Sequence, residues 1–152
     1  MSETPENIHG TAITVDGIGL LFLGPSGSSK SSLAFDCLSE AKLMGCSSAL
    51  ISDDRVLVSQ RGETIIAAGP GSIRGLMELR YSGIVSVPHV AEADLHYAIL
   101  PVSGDEVDRL PPDDEVAEVT PTIRLPAIRL PLWSRFPLSL IFARIRSLQT
   151  SG

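Results

Sequence analysis

A short segment between two apolar stretches has the residue types of a phosphate-binding loop. Residues 24–31 read Gly-Pro-Ser-Gly-Ser-Ser-Lys-Ser and match the pattern G-x-x-x-x-G-K-[ST] everywhere except at Ser29. In such loops backbone N–H groups surround the phosphates, the lysine contacts the β- and γ-phosphates, and the last hydroxyl binds Mg²⁺. Lys30 and Ser31 would fill the last two roles. The candidate nucleotide-binding residues are Gly24, Pro25, Ser26, Gly27, Ser28, Ser29, Lys30, Ser31 and Ser32.

Ser29 stands where the pattern requires glycine. Glycine is used at such positions because the backbone has a positive φ or approaches the ligand closely. A serine there costs on the order of 1 kcal/mol or more in strain. We therefore expect either weakened nucleotide binding or a loop of different shape.

The segments on either side of the loop have the patterns of a strand and a helix. Residues 18–23 form a short apolar run bounded by glycines, which is typical of a buried strand. Apolar residues from Leu33 to Leu38 recur at helical spacing, and Glu40 falls largely off their face. A helix that begins at the loop would direct its free N–H groups at a bound anion. This context favours a phosphate site over the alternative, a Ser/Gly-rich connector.

Two neighbouring acidic residues follow a second apolar strand, predicted at residues 48–52. Asp53 and Asp54 stand at its carboxyl end, where open α/β sheets bind their ligands. The pair could orient Mg²⁺ or accept a proton from an attacking hydroxyl, but a solvated turn explains the same spacing equally well. Glu78 is ambiguous in the same way, because the following Arg80 offers a structural ion pair.

The composition fits a globular domain with a substantial core. The chain has 152 residues, of which 43% are hydrophobic and 20% charged. A net charge of −6 argues against nucleic acid or an anionic membrane as a partner. We expect a cytoplasmic protein, because the first residues lack a signal-peptide pattern and no apolar run reaches about 18 residues. Cys37 and Cys46 lack metal-ligand spacing and are expected to be reduced.

The order of predicted elements indicates one α/β domain over residues 1–152, with a flexible segment at 1–8. Its expected parts are a mixed central sheet, an N-terminal β-hairpin, the helix after the loop and a C-terminal helix. Asp16-Gly17 would turn the first hairpin. The predicted strands are 11–15, 18–23, 48–52, 55–59, 64–68, 95–100, 123–125 and 128–132, and the final helix is predicted at 138–148.

Together these motifs resemble the P-loop catalytic domain of the HPr kinase/phosphorylase family, which implies a P-loop kinase-like fold. The resemblance spans most of the chain, with the motifs in the family's order and at about its spacing. The chain begins almost at the His-Gly motif, as in the short form of the family found in alphaproteobacteria. The motifs are His9-Gly10, residues 16–19, the loop at 24–31, residues 50–56, and residues 76–80 followed by Gly83-Ile84.

The resemblance implies roles for residues of the loop and of the two acidic motifs. Asp53 corresponds to the family's catalytic base, which takes the proton of a serine hydroxyl in the kinase direction and returns it during phosphorolysis. Ser31 and Glu78 correspond to the Mg²⁺ ligands, and Lys30 to the contact with the β- and γ-phosphates.

Three further catalytic candidates also depend on the resemblance. His9 corresponds to a residue that positions the catalytic carboxylate or the phosphate, although a lone histidine is also commonly structural. Asp54 corresponds to the second acid of the pair. Arg135 is the nearest counterpart of the family's catalytic arginine, which follows a proline-containing strand; here that segment is Pro131-Leu-Trp-Ser-Arg135. An arginine there would offset charge on the transferring phosphoryl group.

The implied function is that of an ATP-dependent serine kinase with phosphorylase as a second activity. Its cofactors would be ATP and Mg²⁺, and its partner an HPr-type phosphocarrier protein of the phosphotransferase system. The family is typically hexameric, which predicts a homo-oligomer. The apolar side chains around Phe136, Leu140 and Phe142 are a candidate subunit surface, although core packing is the favoured interpretation.

Three departures from the family pattern leave other functions open. Ser29 replaces a loop glycine, and Tyr81-Ser82 replaces the Gly-Leu of the family signature. The C-terminal helices that contact the substrate in the family are reduced to a single predicted helix. One alternative is a nucleotide-sensing module with reduced or no catalysis. Another is a related kinase that phosphorylates a small molecule.

Overall fold

The computed structural model describes residues 4–25, 29–103 and 110–150 as a mixed α/β fold. Residues 26–28, in the middle of the predicted phosphate loop, lie outside the described residues. The helices in the described ranges are α1 (Lys30–Leu43) and α2 (Pro137–Thr150), and a 3-10 turn spans Gly71–Ile73. The strands there are β1 (Glu6–His9), β2 (Thr11–Val15), β3 (Ile18–Phe22), β4 (Ser48–Ser52), β5 (Arg55–Arg61), β6 (Thr64–Ala68), β7 (Leu76–Leu79), β8 (Gly83–Ser86), β9 (Glu92–Asp94), β10 (Tyr97–Val102), β11 (Val116–Glu118) and β12 (Arg124–Pro131).

A six-stranded mixed sheet in the order β11-β12-β10-β3-β2-β4 positions the predicted site. Strands β3, β10 and β12 are parallel, and β2 pairs antiparallel with both β3 and β4. The carboxyl ends of β3 and β4 therefore lie at the same edge of the sheet. Because β2 runs in the opposite direction, its first residue, Thr11, also lies at that edge.

The two faces of this sheet are covered by different elements, so its inner strands are apolar on both sides. Along β3, Leu20 and Phe22 pack in one buried cluster with residues of α1 and α2, whereas Leu21 belongs to a second cluster. That second cluster includes Val56 and Val58 of the antiparallel sheet β1-β5-β6-β9. Alternate side chains of a strand point to opposite faces. A strand covered on both faces reads as the continuous apolar run seen in the sequence.

The predicted fold class is confirmed, including the N-terminal hairpin, the helix after the loop and the C-terminal helix. The turn at Asp16-Gly17 joins β2 to β3. The predicted strands 55–59 and 64–68 pair antiparallel as β5 and β6, and β5 continues beyond its predicted end to Arg61. Neither helix in the described residues is long and apolar enough to cross a membrane.

Two segments differ from the sequence predictions. Residues 1–8 were expected to be flexible, but Glu6–His9 forms β1 and pairs with β5. Two short strands were expected between residues 123 and 132, but Arg124–Pro131 is one continuous strand. Proline removes a backbone N–H but its φ is compatible with an extended backbone, so Pro126 does not interrupt this strand.

Glu40 is buried, contrary to the expectation that it lies largely off the packed face of α1. Its side chain accepts hydrogen bonds from the backbone N–H groups of Leu138 and Ser139, each at 2.9 Å, and from the Ser139 hydroxyl at 2.5 Å. The first N–H groups of a helix have no partner within the helix. Glu40 therefore caps the N-terminus of α2 from a neighbouring helix.

The apolar residues of α2 pack mainly into the core. Leu140 and Phe142 contact the cluster between the two helices and the sheet, as favoured by the sequence. Phe136, which precedes the helix, is instead 66% exposed.

The two cysteines are free, as predicted, with Cys37 buried on α1. Burial raises the pKa of the Cys37 thiol well above its usual value. This thiol is therefore neutral and unreactive.

Candidate active site

A cleft of about 310 Å³ lies at the edge of the sheet where β3 and β4 end. Its position follows from the strand directions, which bring the start of α1, the residues after β4 and the start of β2 together. The β7–β8 hairpin adds two charged side chains. The lining residues are Thr11, Ser29, Lys30, Ser31, Ser32, Asp53, Asp54, Glu78 and Arg80.

Asp53 accepts three hydrogen bonds in the cleft and is only 5% exposed. Its Oδ1 accepts hydrogen bonds from the Ser31 hydroxyl at 2.6 Å and the Thr11 hydroxyl at 2.9 Å. Its Oδ2 accepts the backbone N–H of Glu78 at 3.0 Å. The solvated-turn interpretation of Asp53 is therefore wrong, because the carboxylate joins β2, α1 and β7.

Lys30 is the first residue of α1 and is 7% exposed. Its Nζ donates hydrogen bonds to the backbone carbonyls of Gly24 and Pro25, both at 2.9 Å. The ammonium group thus lies over the described start of the loop, beside the cleft. Ser26, Gly27 and Ser28 were also predicted to bind nucleotide and lie outside the described residues.

Ser29 has the left-handed backbone conformation expected for a glycine position, with φ 70° and ψ 23°. It immediately precedes α1, and its side chain makes no capping hydrogen bond. Asp54 and Tyr81 also have positive φ values, both 68°. These three residues line or adjoin the cleft, and strained backbone of this kind clusters at functional sites.

Asp54 differs from Asp53 in being exposed to solvent. Its Oδ1 lies 3.8 Å from Nδ1 of His9, and both side chains are largely exposed. An ion pair in that setting contributes little to stability. Asp54 lines the cleft, whereas His9 does not.

Glu78 and Arg80 both line the cleft from the β7–β8 hairpin, and no salt bridge joins them. From the sequence, Arg80 was expected only as an ion-pair partner for Glu78. The signal that points to the cleft is their spacing, because residues i and i+2 of an extended segment lie on the same face. Arg135, the arginine favoured by the resemblance, lies between β12 and α2 and does not line the cleft.

The oxygen donors of the cleft fit Mg²⁺. The described residues contain no cluster of three or more His, Cys, Asp or Glu side chains that would hold a metal by themselves. Mg²⁺ does not need one, because it commonly binds one or two carboxylates together with substrate phosphates and water. The Ser31 hydroxyl and the carboxylate of Glu78, which both line the cleft, provide such a set.

The sequence profile of the family described as HPr Serine kinase C-terminal domain matches residues 2–94. Every residue that lines the cleft lies within this range, whereas Arg135 and α2 lie beyond it.

Individual proteins of the same kind are similar over most of the chain. The HPr kinase/phosphorylase of Enterococcus faecalis is 30% identical over 137 residues, and the match covers 83% of this chain and 42% of the relative. That of Chloroherpeton thalassium is 26% identical over 139 residues, 84% of this chain and 39% of the relative. The chain thus spans about two fifths of the length of these curated relatives.

The fold also matches that of a solved structure. The Hpr(Ser) kinase/phosphatase from Coxiella burnetii superimposes with a TM-score of 0.76 and 23% sequence identity. The match covers 97% of this chain and 99% of the other. The two chains therefore share their fold over nearly their whole lengths.

Proposed function

Because this chain belongs to the HPr serine kinase C-terminal domain family, we propose that it is an ATP-dependent serine kinase whose acceptor is an HPr-type phosphocarrier protein. The observation that carries the proposal is the cleft, where the loop lysine and hydroxyl meet a buried carboxylate, a second carboxylate and an arginine. This combination provides a phosphate contact, oxygen ligands for Mg²⁺ and a proton acceptor in one place.

Residues of the loop and the carboxylates of Asp53 and Glu78 have different roles in binding ATP, the phosphoryl donor. Lys30 exchanges the carbonyls of Gly24 and Pro25 for phosphate oxygens of ATP. The Ser31 hydroxyl donates a hydrogen bond to Asp53, which leaves the lone pairs of its oxygen available. This oxygen and the Glu78 carboxylate would hold Mg²⁺. When bound, Mg²⁺ neutralises charge that develops on the phosphate oxygens.

Asp53 accepts the proton of the attacking serine hydroxyl and, in the reverse direction, returns it. Its fixed position at the bottom of the cleft suits a general base, which must lie within hydrogen-bond reach of the proton it abstracts. Asp54 is the second acid of the pair and lines the cleft. His9, whose Nδ1 lies 3.8 Å from Oδ1 of Asp54, helps to position the catalytic carboxylate or the phosphate. A guanidinium group offsets the charge of the transferring phosphoryl group. We assign this role to Arg80, with Arg135 as the alternative.

A nucleotide-sensing module without catalysis is not favoured. The left-handed conformation of Ser29 is its main support. The cleft nevertheless contains the lysine together with the hydrogen-bonded hydroxyl of Ser31 and carboxylate of Asp53, and binding alone does not require a buried base.

The transfer reaction is tested by incubating the purified protein with labelled ATP, Mg²⁺ and HPr, with and without inorganic phosphate. We expect label on a serine of HPr, and its release as pyrophosphate when phosphate is added if phosphorolysis also occurs. Absence of label on HPr, with label on another acceptor, would overturn the choice of substrate.

Nucleotide binding is tested separately by titration calorimetry of the wild type and Lys30→Ala. The wild type should bind ATP in a Mg²⁺-dependent manner and the variant should not, because the ammonium contact with the phosphates is lost. Equal binding by both proteins would overturn the phosphate-loop assignment.

Oligomeric state and location are further parts of the proposal. We propose a homo-oligomer, a hexamer by analogy with the family, that works in the cytoplasm. Light scattering at several protein concentrations tests the first part, and a monomer at all of them would overturn it.

A further inference from the structure

Thr11 is a fully buried polar residue at the bottom of the cleft. It begins β2, whose next two residues, Ala12 and Ile13, are buried apolar side chains. A buried hydroxyl costs free energy unless it forms a hydrogen bond. Its Oγ1 donates to Oδ1 of Asp53 at 2.9 Å, which connects the first hairpin to a residue 42 positions further along the chain.

The hydrogen bonds to Asp53 are distributed unequally between its two oxygens. An ionised carboxylate only accepts hydrogen bonds, and its two oxygens offer about four sites in all. Oδ1 accepts both the Thr11 and the Ser31 hydroxyls, which fills its two sites. Among the described residues, Oδ2 accepts only the N–H of Glu78. The remaining acceptor site of Asp53 is therefore on Oδ2.

We propose that Thr11 is a positioning residue that, together with Ser31, fixes the orientation of Asp53 so that the carboxylate takes the substrate proton through Oδ2. The inference rests on the proposed function of Asp53 as the base. Without the Thr11 hydroxyl, Asp53 is held by two hydrogen bonds instead of three, so its carboxylate turns more easily about the Cβ–Cγ bond. The base then spends less time in the productive orientation, which slows proton transfer without removing a contact to the nucleotide.

A second buried threonine provides a matched control. Thr120 is 4% exposed, and its Oγ1 accepts hydrogen bonds from the backbone N–H groups of Thr122 and Ile123. Its hydroxyl therefore stabilises a local turn and makes no bond to a residue of the cleft. Substitution of Thr120 by valine removes a buried hydroxyl from a comparable environment but leaves Asp53 unchanged.

The experiment compares Thr11→Val, Thr11→Ser and Thr120→Val with the wild type. It measures kcat for transfer to HPr, kcat for hydrolysis of MgATP, the Kd for ATP and the thermal midpoint of unfolding. We expect Thr11→Val to lower both kcat values by roughly tenfold or more, while the Kd for ATP stays within about twofold. Thr11→Ser should restore kcat, because it keeps the hydroxyl. Thr120→Val should lower the unfolding midpoint and leave kcat unchanged.

Several outcomes would overturn the inference. Wild-type kcat in Thr11→Val would show that Asp53 does not need the hydroxyl. Equal losses in Thr11→Val and Thr11→Ser would show that retaining the hydroxyl does not preserve kcat, and would assign the effect to the packing of the side chain at this site. If Thr11→Val does not fold, Thr11→Ala and Thr11→Ser decide, since these variants differ only by the hydroxyl. If the wild type hydrolyses MgATP but does not phosphorylate HPr, the proposed acceptor is wrong. The kcat for hydrolysis in the variants then still tests the role of Thr11. A wild type with neither activity would overturn both proposals.

Discussion

Two buried carboxylates of this protein have nearly the same hydrogen bonding but different surroundings. Asp53 is 5% exposed and accepts two hydroxyl donors and one backbone N–H. Glu40 is 9% exposed and accepts one hydroxyl donor and two backbone N–H groups. Each joins elements that are distant in sequence, and each would leave unpaired donors if it were removed.

The difference lies in what else is near each carboxylate. Asp53 lines a cleft together with Lys30, Glu78 and Arg80, so a ligand can reach it. Glu40 accepts hydrogen bonds from the first N–H groups of α2. It therefore replaces the capping side chain that usually precedes a helix. Burial and the number of hydrogen bonds therefore do not distinguish a catalytic carboxylate from a structural one. The two kinds of carboxylate differ in whether a ligand can reach them and in the charged side chains beside them.

The largest expected effect is on catalysis by Asp53. Asp53→Asn removes the proton acceptor, so we expect transfer to HPr to fall by roughly 10²-fold or more with little change in ATP affinity. Single-turnover transfer and titration calorimetry measure the two quantities. Intact transfer would mean that Asp53, like Glu40, is a structural carboxylate.

The second largest effect is expected at Arg80, the cation that we assign to the charge of the transferring phosphoryl group. Arg80→Ala should lower kcat by about 10²-fold, the scale for loss of one preorganised donor. Arg135→Ala, the matched control, should have a smaller effect because Arg135 does not line the cleft. A larger loss in Arg135→Ala would assign the phosphoryl contact to the turn before α2.

Glu40→Gln should change stability rather than chemistry. Glutamine has one acceptor oxygen and its NH2 group cannot accept a hydrogen bond, so at least one of the hydrogen bonds from Leu138 and Ser139 is lost and the rest are no longer charge-assisted. We therefore expect the free energy of unfolding to fall by about 2 kcal/mol. Urea denaturation measures this change. Transfer activity of the folded variant should stay within about twofold of the wild type, and a loss on the scale of Asp53→Asn would remove the contrast between the two carboxylates.

The smallest expected effect is at Ser29. Glycine adopts the observed φ of 70° without strain, so Ser29→Gly should raise ATP affinity several-fold, equivalent to about 1 kcal/mol. Transfer should rise at least as much. A silent wild type that becomes active through this change would favour the nucleotide-sensing alternative. Unchanged binding and transfer would show that the serine is not strained in this loop.

Local patterns in the sequence were enough to predict the elements on which the cleft is built. The apolar run before the loop and the helical spacing after it predict β3 and α1, because both signals lie within a few residues of the motif. The position of Asp53 was predictable for the same reason, since it directly follows an apolar strand. These predictions required no knowledge of distant contacts.

The partners of the carboxylates could not be predicted, because they depend on contacts between distant residues. Glu40 was assigned away from the packed face of α1, yet its partners lie 98 and 99 residues further along the chain. Thr11 reads as an ordinary strand residue until β2 is placed beside β4. Likewise, β1 has only one apolar residue, Ile8, and forms by pairing with β5.

The formal charges of the cleft make its affinity for a polyanion depend on a divalent cation. Its lining includes two cationic side chains, Lys30 and Arg80, and three carboxylates, Asp53, Asp54 and Glu78, which together give a net charge of −1. A nucleotide that arrives without a cation is therefore repelled overall, although Lys30 attracts it locally. A divalent cation reverses the sign of the site. Metal and nucleotide should consequently bind with positive cooperativity, and each should raise the affinity for the other by the same factor.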